Sequence, residues 1–377
     1  MDTIIKKTVE EVFGITDGQF QRAVVRIFPS TPATPKAING FKFTTDSLRR
    51  LMIWSASASI PEGHFDAVMK RNLMIFGPTG CGKTQLLKEF CARTGRPLFR
   101  YQCSEDSEVS QLFGTWKLCK PIAKEEVDPE AGLLEKGAQG IAKAIERLAV
   151  TVKRMTGVGP EMTFVDGPVL RWARTPNAIL LLDEWDQLSP TVAMSLNGIL
   201  DGDVIEVPET GERIAISKGC LIAATGNTNG RNSAGGNGGS AALYKGVKRQ
   251  NIASLDRFFV INATYLSEAE EKELLEKQVK IPSAAATAMA SLAAKIRTQF
   301  MGLNEDAGAN GEPLEFTITT RNLLNWGMAW QLLTVTGMDP QSAFKESLNM
   351  TLLDFGTAAE RKAVLDAWDT IIGDKIS

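Results

Sequence analysis

Gly77-Pro78-Thr79-Gly80-Cys81-Gly82-Lys83-Thr84 decides the fold, with Asn72-Leu73-Met74-Ile75-Phe76 before it and Gln85-Leu86-Leu87-Lys88-Glu89-Phe90 after it. An apolar strand, a glycine-rich turn and a Lys-Thr pair opening a helical pattern make a P-loop. The spacing matches G-x-x-x-x-G-K-[ST] without a departure. Glycines let successive backbone N–H groups point at phosphate oxygens, where a bulky side chain would block the approach. The positive end of the helix beginning at Lys83-Thr84-Gln85 adds favourable potential for an anion. Lys83 brings a mobile point charge to the outer phosphates, and the Thr84 hydroxyl can ligate Mg²⁺. The competing reading is a chance glycine turn between a strand and a helix, and the remainder of the chain weighs against it.

The sequence has 377 residues, enough for two or three domains with real cores. It is 44% hydrophobic and 23% charged, an ordinary globular balance. Lys plus Arg (42) nearly equals Asp plus Glu (44), so no global field calls for nucleic acid or an anionic membrane. No apolar run approaches the length of a membrane span, and Met1-Asp2-Thr3-Ile4-Ile5-Lys6-Lys7 lacks the apolar core of a signal peptide. Cys81, Cys91, Cys103, Cys119 and Cys220 are odd in number and never spaced as C-x-x-C, which argues against disulfides and zinc. His64 stands alone. The expectation is a cytoplasmic protein that holds no transition metal.

The chain divides into three. Residues 1–44 read as an N-terminal arm, with Pro29-Ser30-Thr31-Pro32-Ala33-Thr34-Pro35 as an extended linker. Residues 45–265 read as an α/β nucleotide-binding domain. Its strands are the P-loop strand, Pro97–Tyr101, Asn177–Leu182, Cys220–Thr225 and Phe258–Ile261, of which Asn177–Leu182 has the continuous apolar run of a parallel strand buried on both faces and Cys220–Thr225 is also buried. Ser189-Pro190 starts a helix running to about Leu200. A hairpin over 204–216 turns at Pro208-Glu209-Thr210-Gly211-Glu212. An insert at about 119–161 carries Leu134, Ala138, Ile141, Ile145, Leu148, Val152 and Met155 at helical spacing; a helix packed on the domain and a partner-facing one are both open. Residues 266–377 are helical throughout, opened by the capping box Ser267-Glu268-Ala269-Glu270.

Behind the P-loop the candidate chemistry lines up for Mg-ATP. Leu180-Leu181-Leu182-Asp183-Glu184 is a Walker B strand end: Asp183 holds the Mg²⁺ shell opposite Thr84, and Glu184 orients or deprotonates the attacking water. Asn227, after the next strand, can hydrogen-bond the γ-phosphate or the water. Arg257, directly before the last strand, suits a finger offered across a subunit interface. Its alternative is a structural ion pair with Asp256 or another acid, and Lys248 and Arg249 are rival fingers. Arg321, opening a helix of the last domain, can reach the nucleotide from above.

The order of P-loop, Asp-Glu strand, hairpin, Asn strand, Asp-Arg and helical lid with Arg resembles an AAA+ ATPase of the MoxR clade. Within it the chain is most similar to the CobS-type subunit of cobalt chelatase. That closer likeness rests on Val12-Phe13-Gly14-Ile15, Asp183-Glu184-Trp185-Asp186, Ala241-Ala242-Leu243-Tyr244-Lys245-Gly246 before Leu255-Asp256-Arg257, and Thr320-Arg321 before Trp326. The resemblance implies a five-stranded parallel sheet with an α-helical lid, a ring that is usually hexameric, and ATP hydrolysis at subunit interfaces. It implies that Asn227, Arg257 and Arg321 serve as sensor 1, arginine finger and sensor 2. It also implies a protein client with a von Willebrand factor A domain, remodelled or loaded with metal. The family's insert in its second helix matches Gly114–Gly167, which is far longer here than the usual β-hairpin. Gly235-Gly236-Asn237-Gly238-Gly239 also lengthens the chain, and both departures point to a different client.

The leading expectation is therefore a homo-oligomeric ring motor, using ATP and Mg²⁺ to remodel a protein partner. The narrower alternative is the motor subunit of a cobalt or magnesium chelatase. A DNA-dependent motor is disfavoured, because the compact basic cluster is only Lys245, Lys248 and Arg249. A non-hydrolysing scaffold has no need of Glu184.

Overall fold

Five strands expected from the sequence pair into one parallel sheet, three of them continuous apolar runs. The computed structural model describes residues 4–20, 23–58, 72–119, 161–207, 209–227, 251–300 and 317–372. His64, the insert helix read within 120–160, the glycine-rich stretch after Asn227, Ala241–Gly246 and the Lys245, Lys248 and Arg249 cluster lie outside the described residues.

In chain order the strands are β1 (Ile5–Thr8), β2 (Val24–Ile27), β3 (Asn72–Phe76), β4 (Leu98–Gln102), β5 (Gly114–Cys119), β6 (Glu161–Asp166), β7 (Ile179–Asp183), β8 (Ile205–Glu206), β9 (Arg213–Ile214), β10 (Leu221–Gly226) and β11 (Phe258–Asn262). The central sheet has the order β11-β3-β10-β7-β4, with every pair parallel. Successive strand residues face opposite ways. Met74, Phe76, Leu180, Leu182, Ile222 and Ala224 therefore join one apolar core, while Leu73, Ile75, Ile179, Leu181, Leu221 and Ala223 join the other. Strands buried on both faces need apolar residues at every position, which is why these runs are continuous rather than alternating.

The helices are α1 (Val9–Phe13), α2 (Thr45–Ser57), α3 (Lys83–Thr94), α4 (Val109–Phe113), α5 (Pro168–Arg174), α6 (Pro190–Ser195), α7 (Asn197–Asp201), α8 (Ile252–Leu255), α9 (Glu268–Leu274), α10 (Ser283–Phe300), α11 (Thr320–Val335), α12 (Pro340–Thr351) and α13 (Ala358–Ile372). On one face of the sheet, Val169, Leu170 and Trp172 of α5 close the core with α6 and α7. On the other, Leu48, Leu51 and Trp54 of α2 meet Leu87 and Phe90 of α3. The single helix expected from Ser189 is two. It breaks at Leu196, whose N–H turns back to the Ala193 carbonyl (3.3 Å), three residues earlier rather than four, just before the poor helix formers Asn197 and Gly198. In the 204–216 hairpin the laddered pairs among the described residues are Ile205 with Ile214 and Glu206 with Arg213.

The described residues of the N-terminal arm, 4–20 and 23–44, lie against α3. β1 and β2 form an antiparallel ribbon, and α1 starts at a capping box between Thr8 and Glu11. Phe13 stacks on Phe90 at 5.9 Å and meets Phe43 edge-on at 5.0 Å, so this segment shares a core with the P-loop helix. The proline-rich stretch is pinned beside the end of α3, where the Phe28 N–H donates to the Thr94 carbonyl and the Leu98 N–H to the Ala33 carbonyl. Gly95 permits this approach. It has φ +75°, and a Cβ there would lie 1.9 Å from the Phe28 carbonyl oxygen.

β5 and β6 pair antiparallel as the stem from which the insert leaves. After β11 the regular elements among the described residues are all helical. Ser267 and Glu270 make both bonds of a capping box, α9 continues into a π-helical turn at Leu275–Val279, and α10 to α13 enclose a separate core around Trp326, Phe344 and Leu348. Among the described residues no helix is long and apolar enough to cross a membrane, and no His, Cys, Asp or Glu cluster could hold a metal ion.

Candidate functional site

The parallel sheet ends its strands at one edge, where open α/β sheets bind ligands. β3 delivers the P-loop there, its neighbour β10 delivers Asn227, and β7 on the far side of β10 delivers Asp183 and Glu184. A cavity of about 940 Å³ opens over that edge. The P-loop forms its floor, residues drawn from 38–47 form a wall, and Tyr265, Gln278 and Arg321 from the chain after β11 complete the lining, Gln278 Nε2 donating to the Asn39 carbonyl at 3.3 Å.

Lys83 is 8% exposed. Its Nζ donates to the carbonyls of Gly77 (2.8 Å) and Pro78 (2.9 Å) and to Oδ1 of Asn227 (2.9 Å). Burial pushes this ammonium below the ordinary lysine value, against the opposing pull of Cys81, Asp186, Asp183 and Glu184. Burial pushes the Cys81 thiol the other way, above its usual value. Asn227 is oriented from below, its backbone N–H donating to Oδ2 of the buried Asp186 at 2.7 Å. The Asp183-Glu184-Trp185-Asp186 run thus also supplies the group that aims Asn227.

Asp183 is 3% exposed and is a hub. The Thr84 hydroxyl donates to both of its oxygens, at 2.9 and 3.0 Å. The Thr225 hydroxyl donates to Oδ1, and Arg100 donates to Oδ2 through Nε at 2.8 Å, its Nη2 forming an ion pair with the same oxygen at 2.6 Å. A hydroxyl and a carboxylate side by side at a cleft are hard oxygen donors, which fits Mg²⁺ binding through one or two protein oxygens plus phosphates and water. The Arg100 side chain is 43% exposed, which leaves its head room to yield.

Glu184 has a left-handed backbone at φ +59° and ψ +44°, rare for a residue with a Cβ. Its N–H donates to the Thr225 hydroxyl at 2.9 Å, and its carboxylate Oε2 accepts from Gln187 Nε2 at 2.8 Å. Thr225 therefore touches both acids at once, and the turn that carries Glu184 is held by β10 rather than by its own strand.

Arg321 lines the cavity from the second position of α11 and is exposed. Arg257 does not line it. Its guanidinium pairs in bidentate fashion with Asp201, Nε to Oδ1 at 2.6 Å and Nη2 to Oδ2 at 2.8 Å, while Nη1 donates to the Ala253 carbonyl. Within one chain the direct acidic partner is thus Asp201 at the end of α7, not the adjacent Asp256. Gly77 to Gln85, Asp183, Glu184, Asn227 and Arg321 come together, and Arg257 stands apart.

Four contributors escape a reading by spacing: Thr225, Arg100, Tyr265 and the 38–47 wall. Thr225 left one signal, a hydroxyl in an otherwise apolar run two residues before Asn227. Tyr265 donates its hydroxyl proton to the Thr79 carbonyl at 2.7 Å, and nothing in its own neighbourhood of sequence marks it.

Two family models match this chain. Residues 72–245 match the AAA domain (dynein-related subfamily), and residues 271–370 match the CbbQ/NirQ/NorQ C-terminal region. Protein NorQ of Paracoccus denitrificans is 24% identical over 302 residues, which cover 78% of this chain and 87% of NorQ. An uncharacterized protein of Staphylococcus haemolyticus is 27% identical over 214 residues, and one of Staphylococcus aureus strain USA300 is 28% identical over 211. Each of those alignments covers 56% of this chain, and they span 63% and 62% of the staphylococcal proteins, just under two thirds of their length.

Proposed function

We infer that this chain, an ATP-hydrolysing AAA+ P-loop protein of the MoxR clade by its motifs and by both family matches, is a ring-forming motor that remodels a protein partner. The ring, hexameric in this reading, works on a client with a von Willebrand factor A domain. The observation that carries the motor chemistry is the meeting of Lys83, Thr84, Asp183, Glu184 and Asn227 at one sheet edge.

The roles follow from reach and charge. Backbone N–H groups of the P-loop and the first turn of α3 bind the phosphates. Lys83 and Asn227, already bonded to each other, aim at the same outermost phosphate. Thr84 and Asp183 are the residues that would hold Mg²⁺, which when bound neutralises charge on the β- and γ-phosphates. Glu184 leaves Gln187 to orient the attacking water and takes its proton on the carboxylate. Arg321 reaches the nucleotide from the lid of the same chain. Arg257, bonded to Asp201 of α7 and to the Ala253 carbonyl of α8, acts on a neighbouring subunit's nucleotide by exchanging Asp201 for phosphate oxygens.

The decisive experiment is ATP turnover per chain against protein concentration, with mass measured in parallel with and without Mg-ATP. Turnover rising steeply as a larger assembly forms is the expected result. Constant turnover from a monomer refutes the shared site and, with it, the ring.

A further inference from the structure

A charged pair is buried in the lid where hydrophobic residues would serve stability equally well. Arg297 on α10 and Glu271 on α9 are 4% and 0% exposed at their side chains and joined in bidentate fashion, Nη1 to Oε2 at 2.7 Å and Nη2 to Oε1 at 2.9 Å. Taking both charges out of water is costly, so such pairs are poor evidence for stability and better evidence for a required geometry.

The remaining bonds say which geometry. Arg297 Nε donates to the Ile318 carbonyl at 2.6 Å, and the Thr320 hydroxyl donates to Glu271 Oε1 at 3.0 Å. These two contacts bracket Thr319, the N-cap of α11, whose hydroxyl accepts from the Asn322 N–H. Arg321 is the next residue after Thr320.

The same pair touches the P-loop through two routes. The Arg297 guanidinium lies 4.2 Å over the ring of Tyr265, and Tyr265 Oη donates to the Thr79 carbonyl. Thr319 itself packs on Gly80 so closely that a Cβ at Gly80 would sit 2.2 Å from the Thr319 Cβ. Residues 79 and 80 are the middle of the phosphate loop, so a phosphate that turns their peptide groups must move Tyr265 and Thr319 or be resisted by them.

We propose that Tyr265, Glu271 and Arg297 are positioning residues that couple the P-loop to the first turn of α11 and so set where Arg321 stands over the nucleotide. This rests on the nucleotide-site reading above. The ion pair makes α9, α10 and the start of α11 one rigid unit. A shift at Thr79 and Gly80 then reaches Arg321 as a displacement instead of being absorbed locally.

Tyr265→Phe removes the hydroxyl but keeps the ring under Arg297, and Thr320→Val removes one donor to Glu271 but keeps the ion pair, so both leave the lid core filled. Three quantities are measured on full-length wild type and both variants: affinity for fluorescent ATP, kcat and KM for ATP, and amide hydrogen exchange in 317–324 with and without a non-hydrolysable ATP analogue. The analogue is expected to slow exchange in 317–324 of the wild type. Each variant is expected to bind nucleotide within about threefold of wild type, lose that slowing, and lose about tenfold in kcat with KM little changed, the scale of one hydrogen bond. Wild-type slowing and kcat retained in both variants overturn the proposal. Wild type that binds the analogue with no response in 317–324 overturns the coupling and leaves the nucleotide site intact. Wild type that binds no nucleotide overturns both.

Discussion

Replacing Thr225 with Val tests whether β10 positions the two acids of β7. The side chain is 1% exposed, and the change keeps its branched shape while deleting one hydroxyl. Two bonds go at once: the donor to Asp183 Oδ1 and the acceptor for the Glu184 N–H. A hydrogen bond to a charged group contributes about 1.5–3 kcal/mol, and a buried N–H left unpaired costs about 1–3 kcal/mol. Glu184 is already in a left-handed backbone that costs an L-residue about 1–2 kcal/mol, which the Thr225 bond helps to offset. Released, the turn relaxes and the carboxylate loses its aim. If about 1.4–2.7 kcal/mol of this falls on the transition state, kcat drops about 10- to 100-fold. The P-loop is untouched, so nucleotide affinity should stay within about threefold. Thr225→Ser restores the hydroxyl and should recover most of the rate. The assay is steady-state hydrolysis at saturating Mg-ATP, with affinity taken from a fluorescent analogue. A Val variant as fast as wild type, or a Ser variant as slow as Val, refutes the positioning role.

Lys83→Ala removes a buried ammonium that no other side chain replaces; losing charge-assisted bonds of about 2–3 kcal/mol should weaken fluorescent-ATP binding at least about 30-fold, and unchanged affinity removes the P-loop from the account. Glu184→Gln keeps the shape and the N–H bond to Thr225, so nucleotide should bind normally while turnover falls about 10²- to 10⁴-fold; near-normal hydrolysis reassigns the catalytic acid. Arg257→Ala breaks a pair whose side chains are 29% and 45% exposed, a loss of only about 0.5–1 kcal/mol in solvent. The variant should therefore stay folded by circular dichroism yet be inactive alone, and mixing it with Glu184→Gln should restore some turnover. Normal activity of the single variant, with no gain on mixing, leaves Arg257 as a structural partner of Asp201.

Local patterns carried the sheet and the phosphate site because each depends on neighbours in sequence. Leu180, Leu181 and Leu182 announce a strand buried on both faces, and the acids that follow must then emerge at its end. The P-loop is legible for the same reason: its glycines, Lys83 and Thr84 act within one turn. What was not legible depends on which strand lies beside which. β10 sits between β3 and β7, so Thr225 meets Asp183 and Glu184, and Asn227 meets Lys83, through a strand order that no spacing encodes. Arg100 reaches Asp183 because β4 pairs with β7 on its other side, where Gln102 lies opposite Asp183. The partner of Arg257 shows the same limit in reverse. Asp256 is next in sequence, yet the guanidinium takes Asp201 from a different helix. The short α1 hides its packing for another reason: five residues hold too few turns for a helical period to show that Val9 and Phe13 are buried. The lid contact is the strongest case. Arg297, Glu271 and Tyr265 each read alone as ordinary helix or loop polarity, and Thr320 shows in the sequence only as the neighbour of Arg321. Only their convergence behind Thr79 and Gly80 gives the lid a physical means of sensing what the P-loop holds, so residues that carry no motif bear on when the motif residues act.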